Sequence, residues 1–296
     1  MDALNQFFAI YGSLVNFMGI NALLALSLYL TLSAGQLSLG SAAFAAIGGY
    51  TAGILTMKFG VPFLLSIAAG SIFSGMVGLV IGLPVLRLRG VFLAIATLSF
   101  GEVVRIVVLN LDITGGAQGL VGIPNFTTTW GIYLTLAVAG YGIARLRHSR
   151  AGWCFESIRE DETAASAMGI NTTYYKTLAF TLGAILAGLA GGLYAHLNYI
   201  ITPREFGFSF AVDLLIYNIV GGIRIWYGPV LGAFLLTALP EILRGTGVAA
   251  GPMRMAANGL ILLLVILFLP NGLVSIFTRN RKPPAGISPV SVAEEV

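Results

Sequence analysis

Nine stretches of this chain are apolar enough to enter the hydrocarbon of a bilayer, and that repetition decides what it can fold into. They run 16–32, 42–57, 62–83, 92–111, 130–144, 177–200, 210–220, 228–243 and 253–269. A spanning helix needs roughly 20 apolar residues, because inside lipid each backbone N–H and C=O must be satisfied within the segment or by a neighbour. Only 9% of residues are charged and 57% are hydrophobic, whereas soluble domains carry about 25% charge. The expected fold is therefore all-α: a polytopic membrane helix bundle of about nine spans (8–10). The second and seventh stretches are short and interrupted by glycine, so a broken or re-entrant element is expected at either place.

Lysine and arginine orient the bundle. With the N-terminus outside, Arg87, Arg89, Arg145, Arg147, Arg150, Arg159, Lys176, Arg224, Arg279, Arg281 and Lys282 fall on the cytoplasmic side. Lys58, Arg204, Arg244 and Arg254 fall outside, and Arg105 lies within a span. This bias accounts for the net charge of +4 without nucleic acid as a partner. The N-terminus, M-D-A-L-N-Q-F-F, lacks the basic region and cleavage site of a removable signal, so the first span is expected to remain. The single cysteine, Cys154, excludes an intrachain disulfide. Residues 1–273 read as the transmembrane domain, and the polar, proline-bearing 274–296 as a disordered cytoplasmic tail.

One polar island, 145–176, interrupts the apolar pattern and holds nine charged residues. Within it Asp161 is placed to cap a short helix reaching Met168, with Gly169 ending it. Ala164, Ala165 and Met168 would then share one small apolar face, and Glu160 and Glu162 would stay in water. Asn171 is a second cap, opening the next span. A capped helix with an alanine face suits insertion into a groove on another protein, and a plain solvated connector is the alternative.

Inside the spans, glycines such as Gly183, Gly188, Gly191 and Gly192 let helix backbones approach closely, as ordinary small-residue packing in lipid requires. Ionisable groups there are costly, by about 3 kcal/mol on insertion scales. Glu102 and Arg105, three residues apart, can pair along one helix face, locking the bundle or lining a path. Gln36 and Ser38 sit in a glycine-bounded turn whose polar groups could line a cavity. His196 has no second ligand at metal-binding spacing, so no metal site is expected. Neither a catalytic constellation nor a G-x-x-x-x-G-K-[ST] phosphate loop is present, so the chain reads as no enzyme and binds no ATP itself.

The island's E-D-E-T-A-A-S-A-M-G-I-N resembles the "EAA" loop of ATP-binding-cassette (ABC) importer permeases, in the form found in the branched-chain amino-acid permeases. A-G-Q-L-S-L-G-S-A-A-F-A-A-I-G-G-Y at 34–50 resembles that family's first signature. L-R-L-R-G-V-F-L-A-I-A-T-L-S-F-G-E-V-V-R at 86–105 and T-G-G-A-Q-G-L-V-G-I-P at 114–124 resemble the LivM-type subunit. V-I-L-F-L-P-N-G-L-V at 265–274 fits as well. One departure is G-G-I-R-I-W-Y-G-P at 221–229, where the family more often shows G-G-L-G-S-x-x-G-P.

The resemblance implies a type II importer-like fold and an inner-membrane permease moving branched-chain or related amino acids inward. It implies a homologous LivH-type permease, two ATPase subunits that bind ATP and magnesium, and a periplasmic or lipid-anchored binding protein as partners. The loop helix would be the coupling helix, with Glu160, Asp161, Glu162, Ala164, Ala165, Met168 and Gly169 at the ATPase. Gln36, Ser38, Glu102, Thr114, Gly115 and Gly116 are the pathway candidates, the last three on the outer side where substrate would be released, although a flexible outer loop is the simpler explanation there. A secondary transporter or channel for a small polar solute is the competing reading, and would need coupling carboxylates of which only Glu102 is evident.

Overall fold

The computed structural model describes residues 2–245 and Gly259, with side chains from residue 11 to 241. The ninth apolar stretch, apart from Gly259, and the 274–296 tail lie outside the described residues. In chain order the helices are α1 (Asp2–Ser33), α2 (Ser41–Phe59), α3 (Phe63–Val85), α4 (Val91–Asn110) and α5 (Thr129–Arg147). They continue as α6 (Arg150–Glu160), α7 (Glu162–Ala167), α8 (Thr172–Asn198), α9 (Phe208–Gly221) and α10 (Gly228–Gly245). Four of them are long and apolar enough to cross a membrane: α1 from Tyr11, α3, α4 and α8. α9 and part of α10 are shorter apolar helices. The helices α2 and α5 have 19 residues each, about 28 Å of rise, but are diluted by small and polar side chains.

The bundle centres on α2, α3 and α8, which meet backbone to backbone. Gly48 of α2 lies against Gly188 of α8, and a Cβ on Gly191 would overlap the Ala45 carbonyl. On α3, a Cβ at Gly70 would stand 2.6 Å from the Gly48 carbonyl oxygen. In lipid no hydrophobic force drives helices together, so close packing and hydrogen bonds between helices must do so. Two α3 hydroxyls supply such bonds. Ser71 donates to the Ile185 carbonyl at 2.8 Å, and Ser74 Oγ lies 3.0 Å from the carbonyl oxygens of both Phe44 and Ala184.

The glycines of α8 each serve a different neighbour. Gly183 meets Ser27 of α1, Gly188 meets Ser74, Gly191 meets α2, and Gly192 meets Ile67 and Ala52. α1 is buried on nearly all sides from Ile20 to Leu30, packed among α5, α8, α9 and α10. By contrast α3 and α4 present rows of exposed apolar side chains, including Leu64, Phe73, Val80, Phe92, Val103 and Ile106.

The expectation of a broken second element is not met. α2 is continuous, and Gly48, Gly49 and Gly53 are buried packing positions rather than breaks. The seventh stretch forms α9, a single 14-residue helix preceded by a 3-10 turn at Pro203–Phe206. The unusual 221–229 segment is a tight turn between α9 and α10, with Gly222 at φ 101°. Its Trp226 lies over Gly140 of α5, where a Cβ would come within 3.0 Å of the indole. The added bulk therefore finds its room at a glycine on a neighbouring helix.

Candidate functional site

The 145–176 island folds at one end of the bundle, spanning the end of α5, all of α6 and α7, and the start of α8. Arg145 and Arg147 close the last turn of α5, where positive charge complements the helix dipole. The guanidinium of Arg145 sits 5.8 Å from the centre of the Tyr141 ring. Ser149 caps α6 by accepting from the Gly152 N–H, and α6 buries Gly152, Phe155 and Ile158. The backbone of Arg159 in α6 rests against Gly35, in the turn after α1, so this end of the molecule also receives the α1–α2 connection.

Asp161 caps α7 as its place in the sequence implies. Its Oδ1 accepts from the N–H groups of Thr163 at 2.8 Å and Ala164 at 3.0 Å. The other end closes as a Schellman motif. Ile170 N–H donates to the Ala165 carbonyl, Gly169 N–H donates to Ser166, and Gly169 takes φ 84°. Asn171 then caps α8, accepting from Tyr174 N–H at 3.0 Å.

The expected common face of α7 is divided in the structure. Ala165 is buried at 4% exposure, whereas Met168 is 85% exposed and Ala164 is also exposed. Residues 164 and 165 are about 100° apart around a helix of 3.6 residues per turn, and α7 lies on the bundle through the Ala165 side. The surface it turns outward is formed by Thr163, Ala164, Ser166, Ala167 and Met168.

The three acidic residues also differ. Glu160 has a 75% exposed side chain beside Arg159 at 3.1 Å, and Asp161 is occupied as the cap. Glu162 was expected to stay in water, but is only 25% exposed at its side chain. Its Oε1 lies 2.6 Å from Lys176 Nζ on α8, and its Oε2 lies 3.5 Å from Arg89 Nε in the α3–α4 connection.

Among the pathway candidates, Gln36 and Ser38 are each 1% exposed. Ser38 Oγ accepts from Gly40 N–H, and Leu39 N–H donates to Thr97 on α4 at 2.9 Å. Both amide atoms of Gln36 are buried without a hydrogen-bond partner among the described residues. Glu102 and Arg105 form the i, i+3 pair at 2.7 Å, with side chains 36% and 33% exposed. They flank the exposed apolar row of α4.

Thr114, Gly115 and Gly116 lie in an ordered turn at the opposite end, after α4. Thr114 is 3% exposed, with its hydroxyl directed at the carbonyls of Val108 and Leu111. Its hydroxyl therefore closes the end of α4. Gly115 and Gly116 take φ of 78° and 58°. Beyond them β1 (Leu120–Val121) pairs antiparallel with β2 (Ile200–Ile201), and the Tyr50 hydroxyl donates to the Ile201 carbonyl. His196 is fully buried, its ring nitrogens at the Gly192 carbonyl and the Thr56 hydroxyl.

Three features escaped the sequence reading. α6 is signalled by Ser149 as a cap and an apolar i, i+3, i+6 row at Gly152, Phe155 and Ile158. The Glu162–Lys176 pair has no local signal, because the partners lie on different elements. At the end opposite α7, an open cavity of about 600 Å³ is lined by Asn16, Asn125, Thr127, Thr128, Trp130 and Tyr133 among others. Its polar groups are neutral and come from α1, α5 and the segment between β1 and α5, which span-finding does not connect.

The family described as branched-chain amino acid transport system, permease component, matches residues 10–269. The high-affinity branched-chain amino acid transport system permease protein LivM of Salmonella typhimurium is 31% identical over 91% of this chain and 69% of its own length. The LivH permease protein of Escherichia coli is 30% identical over 44% of this chain and 41% of its own length. The ribose import permease protein RbsC of Escherichia coli is 26% identical over 84% of this chain and 81% of its own. No solved structure matches the chain.

Proposed function

The chain belongs to the family of branched-chain amino-acid transport permeases, membrane subunits of ABC importers, and from that premise we propose that it carries branched-chain or related amino acids inward, driven by separate ATPases. The observation that carries the coupling half of this reading is α7. It is a helix capped at both ends, seated on the bundle through Ala165 and offering Ala164, Ala167 and Met168 outward. An exposed, small and partly apolar helix face suits a groove in another protein. In this reading 145–176 faces the cytoplasm, in accord with its arginines, and the ATPases bind ATP and magnesium.

The second permease is the partner we assign to the exposed side of α4. Glu102 and Arg105 are one-third exposed beside Val103 and Ile106. An ion pair so placed would be costly against lipid, and a homologous subunit or the path between two subunits would relieve that cost. A cysteine at Val103 should cross-link to the second permease. The same pairing weakens the secondary-transporter reading, since the Glu102 carboxylate that reading relies on is already engaged by Arg105.

The test is reconstitution. Vesicles holding the chain with its second permease and ATPases should take up labelled leucine when given binding protein and ATP. The chain alone should neither hydrolyse ATP nor accumulate leucine. Uptake by the chain alone under a proton or sodium gradient would replace the ABC reading with the secondary-transporter one. Uptake of ribose rather than leucine by the full assembly would reassign the substrate.

A further inference from the structure

We propose that Glu162 is a positioning residue of the coupling step, acting as a strut between α7 and the membrane helix α8 rather than as part of the ATPase contact. The inference rests on the ABC reading above and deepens it. Glu162 is the first residue of α7, and its carboxylate is turned toward the chain's own bundle. One oxygen meets Lys176 Nζ at 2.6 Å, and the other lies 3.5 Å from Arg89. Lys176 is the more constrained cation, with only 10% of its side chain exposed, and Glu162 is its ion-pair partner among the described residues.

Moving α7 without α8 would leave a largely buried ammonium without its counter-charge, which is strongly unfavourable. The first two turns of α8 and α7 therefore move together. Ala165, three residues on, is buried on the same side of α7 as Glu162. α8 in turn contributes Gly188 and Gly191 to the backbone contacts with α2, and its Ala184 and Ile185 carbonyls face Ser74 and Ser71 of α3. A displacement of α7 is thereby delivered to the centre of the bundle. The Arg89 tie is different in kind: its side chain is 72% exposed and the contact is long, so it holds weakly and can break as α7 shifts.

The assembled complex in proteoliposomes tests this. Glu162→Gln and Lys176→Met should each keep the ATPases bound and keep basal ATP hydrolysis, but lower uptake per ATP by about tenfold, within the usual range for coupling between sites. The exchange Glu162→Lys with Lys176→Glu should recover most of that loss, and Arg89→Ala should change it little. Wild-type uptake per ATP in Glu162→Gln would overturn the proposal. So would loss of ATPase binding in Glu162→Gln that the exchanged pair does not restore, because Glu162 would then belong to the contact itself. A double-mutant cycle on the thermal unfolding of the chain alone reads the strut without any ATPase. Non-additivity there supports it and strict additivity overturns it. Failure of the wild-type chain to bind any ATPase would instead overturn the functional reading.

Discussion

Ala164 and Ala165 are adjacent in α7 and have opposite surroundings, so the same substitution should do different things at each. At Ala165, 4% exposed, an arginine has no room, and Ala165→Arg should destabilise the chain by about 3 kcal/mol, the scale of overpacking a well-filled site. Ala164→Arg meets solvent in the isolated chain and should leave its melting temperature unchanged, yet abolish ATPase binding by adding charge and bulk to the docking face. Thermal unfolding in detergent and co-purification with the ATPase separate the two effects. Equal behaviour of the two variants would mean that α7 is not seated as described. Gln36 is the other informative residue. Its amide is buried and unpaired among the described residues, a cost of about 1–3 kcal/mol. Gln36→Leu should therefore raise the melting temperature, and, where the amide serves the path in another conformation, it should also slow uptake. Unchanged uptake in a stabilised variant would remove Gln36 from the pathway.

Among elements, those legible in the sequence were the ones governed by local chemistry. Apolar stretches located the membrane helices, and Asp161, Gly169 and Asn171 announced the ends of α7 and the start of α8, because a cap depends on the neighbouring backbone alone. Glycine content in α2 was misleading. The same residues that lower a helix's propensity are those that let α2 touch α8, and tertiary contact decided the outcome. A six-residue helix such as α7 has too few turns for periodicity to reveal its buried side, so the sequence does not separate buried Ala165 from exposed Ala164 and Met168. The α2–α3–α8 core also yields a prediction. Gly191→Val should prevent α2 and α8 from closing and sharply reduce folded protein, since even a Cβ meets the Ala45 carbonyl. Gly142→Ala in α5, which has nothing within 4 Å of an added Cβ, should be tolerated. Folded yield by size-exclusion chromatography reads both, and a well-folded Gly191→Val protein would contradict the packing described.

For the whole molecule, one end gathers α6, α7, the α1–α2 turn and the arginine-bearing connection after α3, and the other end gathers the β1–β2 ladder and the open cavity. Cys154 in α6 should accordingly react with a membrane-impermeant thiol reagent only in inside-out vesicles, and labelling in intact cells would invert the orientation. The substrate is the part of the function least legible in the sequence, because the neutral cavity and apolar helix faces exclude little beyond a highly charged solute. Coupling through α7 is the central claim, and cross-linking tests it most directly. In a Cys154→Ser background, Met168→Cys should form a short-range cross-link to the ATPase in the assembled complex. Leucine-loaded binding protein and ATP should alter the yield of that cross-link. The absence of any Met168→Cys cross-link to the ATPase, in a complex that still transports, would contradict the account.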